Sequence, residues 1–177
     1  MADRLLLVRH ARVGTAYAGR LLGATDVPLD PAGQAQARAL SAQVMQAAPQ
    51  VCYCSPMQRC RQTASALAPE LPLHIENDLR EIDFGQWDNR TFAEAVAADP
   101  SLVDRWAAFD LEFAFPGGES VGSFLGRVHA VADHAMDLLQ VGQRDFTLPL
   151  ENFVDVIRPR GRTDVPLLDI SNPLGML

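Results

Sequence analysis

Apolar and polar positions along this chain fall into blocks that predict strands alternating with helices. Residues 5–8 form a short apolar run that ends abruptly at Arg9 and His10, the pattern of a buried strand that delivers charged residues to its carboxyl end. Asp30 followed by Pro31 combines a capping side chain with a proline at the first helical position, and predicts a helix over 31–48. A second apolar run covers 51–54. The Ser55-Pro56 pair after it signals another helix start and puts Arg59 in the first turn. Pro69 and Pro72 close that helix, and 73–76 reads as a third strand leading into 79–85. Helical patterning resumes over 91–98 and around 102–109, until Pro116, Gly117 and Gly118 impose a loop. Ser120 can cap a last helix, whose apolar positions Val121, Phe124, Leu125, Val128 and Val131 keep the three-four spacing of one buried face.

Strands alternating with helices imply βαβ units, hence an α/β three-layer sandwich with a mainly parallel sheet. In such sheets ligands bind beyond the carboxyl ends of the strands. One domain is expected over 1–140. Beyond Gln140 the character changes: Pro149, Pro159, Pro166 and Pro173 interrupt a stretch without alanine, whereas alanine is frequent before it. Residues 141–177 therefore read as a divergent C-terminal segment. An extended tail, an unusual closing subdomain, a truncation and a foreign reading frame all fit this shift, and a tail packed on another copy of the chain would give a homodimer.

Composition narrows the function classes. The 177 residues are 48% hydrophobic and 21% charged, with a formal net charge of −7, which suits a folded globular domain. Acidic balance argues against broad affinity for nucleic acid or anionic membranes, so an anionic substrate must meet local positive charge. The opening apolar run is too short for a leader or a membrane span, and a cytoplasmic location is expected. Cys52, Cys54 and Cys60 lack the pairing of a disulfide framework and the spacing of a zinc site; reduced thiols are expected, with no metal and no cofactor.

Arg9 and His10 at the end of one strand and Arg59 at the start of a helix after the next would face one crevice. Guanidinium groups hold phosphate oxygens through paired charge-assisted hydrogen bonds, and a helix N-terminus adds backbone donors there. An imidazole beside them can attack phosphorus. Taken singly, His10 reads as a structural histidine and Glu81 as a surface carboxylate, and only their combination with other motifs reverses this.

The residues Leu7, Val8, Arg9 and His10 resemble the signature of the histidine phosphatase superfamily, the phosphoglycerate-mutase-like proteins. Four further blocks follow in family order: 23–29 with Gly33, 55–64, 79–87 and 115–120. The resemblance implies that His10 accepts the phosphoryl group as a phosphohistidine that water then hydrolyses, while Arg9 and Arg59 hold the phosphoryl oxygens. It also implies that Glu81 is the proton donor to the leaving group. A carboxylic acid beside bound phosphate can stay protonated, because neighbouring negative charge favours its neutral form. Thr25 and Asp26 lie in the block that resembles the substrate-side wall, although Asp26 could as well cap or brace a turn. Glu119 could belong to the pocket rim, Ser120 reads as a helix cap, and Trp87 as packing.

Two departures stand out. Ala11, Arg12 and Val13 occupy the place where the family usually has Gly-Glu-Thr. More seriously, the family places a later strand that ends in a second histidine, and here no histidine follows His134; His74, His129 and His134 do not match it. Loss of one such donor to the transferring phosphoryl group typically costs about 10²–10³ in rate, and the missing strand would expose apolar sheet edges. The resemblance is strongest to the α-ribazole phosphatase-type branch. It implies a phosphomonoesterase acting on a small phosphorylated metabolite, impaired by the missing histidine; the alternative is a catalytically silent phosphate-binding or regulatory protein.

Overall fold

Capping side chains set the helix boundaries in the computed structural model, which describes residues 6–108 and 110–138. Asp30 accepts from the Gly33 N–H at 2.6 Å and Pro31 opens helix α1, Pro31–Gln46. The sixteen-residue helix stops two residues short of the expected end, because Ala48 adopts a positive φ of 49°. A reciprocal pair between Thr91 and Glu94 opens α3, Phe92–Ala98. Asp99 then accepts from the Leu102 N–H at 3.1 Å to start α4, Pro100–Ala107. The Ser120 hydroxyl takes the Ser123 N–H at 3.1 Å as α5 begins, Val121–Leu138. Each device satisfies N–H groups that the first helical turn cannot.

Between α1 and α3 lies the parallel unit. Strand β1, Cys52–Cys54, pairs with β2, Leu73–Ile75, in the register Cys52 with Leu73, Tyr53 with His74 and Cys54 with Ile75. The connection between them is α2, Gln58–Leu67, so the segment is a βαβ unit. Bonds from the Cys52 N–H to Pro72 O (3.0 Å) and from the Glu76 N–H to Cys54 O (2.8 Å) extend the ladder at both ends.

The strand expected over residues 5–8 is a correction. Leu6, Leu7 and Val8 belong to no strand and are 39%, 50% and 38% exposed. A parallel strand is stable only with ladder partners and cover on both faces, and among the described residues the sheet consists of β1 and β2 alone. The same shortage shows on those strands, where Tyr53, Leu73 and Ile75 are exposed. The start of α2 also differs from expectation. Ser55 is not its cap, because the helix opens at Gln58 after Met57; the Ser55 hydroxyl instead braces the Met57 N–H at 3.4 Å.

The main core is aromatic. Phe84, Trp87, Phe113, Phe115 and Phe124 are buried with Ile82 and Val121, and Trp106 packs against them. Phe84–Phe115 and Phe113–Phe115 meet edge to face with ring centroids 5.0 Å apart, an arrangement favoured by ring quadrupoles. This core fixes 82–87, the stretch directly after Glu81, and Trp87 is accordingly a packing residue. Val44 of α1 and Leu67 of α2 share a smaller core, and Ala11, Leu29 and Ala37 form another beneath the segment that follows His10.

Two compact units can be distinguished. Residues 10–131 form one; of the other, residues 6–9 and 132–138 are described. The expectations for 141–177, including a homodimer built on that segment, lie outside the described residues. Among the described residues no helix is long and apolar enough to cross a membrane.

Candidate active site

Arg59 is the second residue of α2 and is only 2% exposed. One turn on, the buried Thr63 hydroxyl donates to the Arg59 carbonyl at 2.7 Å and accepts the Ala11 N–H at 2.9 Å. A single hydroxyl thus ties the backbone directly after His10 to the helix that carries Arg59. His10 itself is half-buried, and its Nδ1 lies 2.8 Å from the Ala11 carbonyl oxygen. A carbonyl only accepts, so Nδ1 carries the proton. In the neutral ring the lone pair then lies on Nε2.

The Arg59 guanidinium grips the loop before Asp26. Nη1 donates to the Thr25 carbonyl at 3.1 Å, and Nη2 donates to the carbonyls of Leu22 at 3.1 Å and Gly23 at 3.4 Å. These three bonds leave two of the five guanidinium N–H donors for other acceptors. Asp88 holds the same loop from its N–H side. Its carboxylate accepts from the N–H groups of Gly23 (2.7 Å) and Thr25 (2.8 Å) and from the Thr25 hydroxyl. The loop lies so close to the Glu81 segment that a Cβ on Gly23 would sit 2.1 Å from the Ile82 carbonyl oxygen.

Asp26 accepts the Gln58 N–H at 2.7 Å, the first helical N–H of α2. It therefore does the capping work that Ser55 does not, and joins the loop to the helix start beside Arg59. Thr25 directs its hydroxyl to Asp88. Both side chains therefore serve the architecture of the loop in this structure.

Glu81 is half-buried, and its Oε1 accepts its neighbour's Ile82 N–H at 3.0 Å. Cys60 is the third residue of α2, beside Arg59. Burial raises its pKa most, the Arg59 charge and a hydrogen bond with Ser55 lower it, and the carboxylates of Glu81 and Asp26 raise it again. The loop gripped by Arg59 thus lies against the backbone next to Glu81, and Asp26 meets the helix start beside Arg59.

Arg9 is exposed and falls in the other compact unit, so the structure links Arg59, Glu81, Asp26 and the His10 backbone without defining Arg9 against them. Arg12 turns to Asp30, with Nε and Nη2 at 2.9 and 2.6 Å from Oδ2. This pair and the Gly33 N–H bond hold the Asp30 carboxyl below its usual range. Gly33 lets α1 approach this segment, since a Cβ there would lie 2.0 Å from the Arg12 carbonyl oxygen.

Sequence reasoning singled out neither Thr63, Asp88 nor Arg127. Thr63 could have been found from its i+4 spacing to Arg59, which puts both on one helix face. Asp88 carries no such signal, because its partners, the Gly23 and Thr25 N–H groups and the Thr25 hydroxyl, lie more than sixty residues away.

Comparison with known proteins identifies the family. Residues 5–142 match the family model of the histidine phosphatase superfamily, branch 1. The chain is 34% identical over 158 residues to a bifunctional protein of Mycobacterium tuberculosis, covering 88% of this chain and 42% of that protein. It is 33% identical over 127 residues to phosphoserine phosphatase 1 of Hydrogenobacter thermophilus, covering 71% and 60%. Among solved structures, the alpha-ribazole phosphatase from Shigella flexneri superposes with a TM-score of 0.65 at 26% identity, covering 75% of this chain and 67% of that one. The chain thus spans 42% to 60% of the length of these two curated relatives. With its α/β fold, its parallel strand pair and a buried arginine tied to the segment after His10, this chain belongs to the histidine phosphatase superfamily.

Proposed function

We propose that this chain is a phosphomonoesterase domain for a small phosphorylated metabolite, with His10 as the phosphoryl acceptor. The observation that carries this reading is the Thr63 hydroxyl bridge, which couples the backbone after His10 to a buried Arg59. In the reaction the Nε2 lone pair of His10 attacks phosphorus and the ester P–O bond breaks. The leaving oxygen takes the Glu81 proton, and water then cleaves the P–N bond to release phosphate. The two remaining donors of Arg59, together with Arg9, hold the phosphoryl oxygens. Such transfer depends mainly on positioning and charge. Thr25 and Asp26 form the substrate-side wall through their loop rather than through unengaged side-chain atoms. Phosphoserine and α-ribazole phosphate, named by two of the relatives, define the size of ester to test.

In this account His10, Arg59 and Glu81 carry the reaction, and slow turnover is expected where no second histidine joins them. A second reading, a silent phosphate-binding protein, is favoured by the engagement of Arg59 with three backbone carbonyls. Phosphate release from a panel of small phosphomonoesters, measured beside His10→Ala, separates the two. Release that depends on His10 supports the esterase. Saturable phosphate binding with no release, or equal release by the variant, replaces it with the binding protein or removes His10 from the mechanism.

A further inference from the structure

Arg127 on α5 has a side chain only 9% exposed. Its Nε and Nη2 donate to the two Glu119 carboxylate oxygens, each at 2.8 Å. Nη1 donates to the carbonyls of Asp78 and Arg80, both at 2.6 Å, and Nη2 also donates to the Glu81 carbonyl at 3.1 Å. Five bonds use the full donor set of a guanidinium. One face of the group lies over the Phe124 ring, 4.9 Å from its centroid. Glu119 grips the same segment from its own side: its N–H donates to the Asp83 carbonyl at 2.9 Å, and Oε2 accepts the Asp83 N–H at 3.4 Å.

All three backbone acceptors of the Arg127 guanidinium, and the Asp83 N–H and carbonyl bound by Glu119, fall on 78–83, the segment around Glu81. A buried ion pair is a poor device for stability alone, because desolvation opposes its attraction and an apolar filler often does as well. What it supplies here is direction, since three carbonyls on one planar fork define where the Glu81 backbone lies. We propose that Arg127, held by Glu119, is the positioning residue that aims Glu81 at the leaving-group oxygen. This rests on the phosphohistidine reading above. As the His10–phosphorus bond forms and the ester P–O bond breaks, the electron pair goes to the leaving oxygen, and Glu81 must stand there with its proton. An alkoxide needs that proton, whereas a dinitrophenolate leaves without it.

The test is the rate of phosphoryl transfer to His10 from two probes, an alkyl phosphomonoester and dinitrophenyl phosphate. Arg127→Lys keeps the charge but not the fork, and displacement of a reacting group by about 1 Å can cost about 10²-fold. We expect Arg127→Lys to slow the alkyl ester about 10²-fold more than the dinitrophenyl ester, with the bias seen in Glu81→Gln. Glu119→Gln leaves an acceptor for Arg127 and so serves where Arg127→Lys folds poorly; it should show the same bias, several-fold in size. Equal slowing of both esters would make the pair merely structural and overturn the proposal, as would no slowing of either. If the unaltered chain forms no adduct even from dinitrophenyl phosphate, the phosphohistidine reading itself fails and the positioning role falls with it.

Discussion

Replacing Thr63 by valine keeps the shape of the side chain and removes one oxygen. That oxygen is buried, accepts the Ala11 N–H at 2.9 Å and donates to the Arg59 carbonyl at 2.7 Å. The Arg59 carbonyl keeps its ordinary helical environment, but the Ala11 N–H loses its acceptor in a buried place. An unsatisfied buried donor costs about 1–3 kcal/mol. With a midpoint near 2 kcal/mol, a protein of this size should melt about 4–8 °C lower. A functional loss should accompany it, because the chain after His10 is then no longer tied to the Arg59 helix. A slip of about 1 Å at a reacting group is enough to lower transfer about 10²-fold. Thermal melts and the rate of phosphoryl transfer to His10 should be measured for Thr63→Val and for Thr63→Ser, which retains the hydroxyl. Serine should recover most of both losses. A valine variant that melts and reacts like the unaltered chain would show that the bridge does not hold His10 to Arg59, and the reasoning would be wrong.

Gly33→Ala should be more severe than most surface substitutions, because its new Cβ would stand 2.0 Å from the Arg12 carbonyl oxygen and rigid backbone must move; urea titration should show clear destabilisation, and a silent variant would contradict the packing. Burial would raise the Glu119 carboxyl pKa, but the Arg127 hydrogen bonds and charge outweigh it and hold it below 4.5. Its folded value is depressed, so the stabilisation is fully present above about pH 4.5 and fades as pH falls through the folded value. The melting difference between the unaltered chain and Glu119→Gln should therefore shrink in acid, and a difference independent of pH would refute the assignment. Burial pushes the Cys54 thiol up to about 12 and also raises Cys52 and Cys60. Alkylation at pH 8 should consequently be slow in the folded chain and fast after unfolding; rapid labelling of Cys54 in the native state would contradict its burial.

How far the fold could be read from sequence depended on how local the cause was. Helix starts at Asp30-Pro31 and Ser120 were legible, because the cap and its target N–H lie within a few residues, and the helix after Thr91 was legible from its patterning. The start of α2 was not, since its cap comes from Asp26, thirty-two residues before Gln58. Residues 51–54 and 73–76 carried enough apolar character to mark a strand pair, but the run at 5–8 looked the same and is not a strand in the structure. Apolar character states a demand for cover, and pairing depends on neighbours that the run does not encode. Arg59 and Glu81 stand out as candidate site residues through their motif. Their supports were hidden, because Asp88 and Arg127 reach the site segments mainly through backbone groups, which have no sequence identity to match. Arg127 even reads as an ordinary polar position beside the apolar stripe of α5.

The central claim is that the His10 imidazole accepts a phosphoryl group, and it is tested most directly by locating that group. The intact chain is mixed with dinitrophenyl phosphate, quenched in base to preserve phosphoramidate bonds, and cleaved for mass spectrometry of the peptide that contains His10. The account predicts a base-stable, acid-labile phosphoryl group on His10, absent from His10→Ala and depleted in Arg59→Ala. A phosphoryl group on another residue, or none on His10 under conditions where the chain releases phosphate, would contradict it.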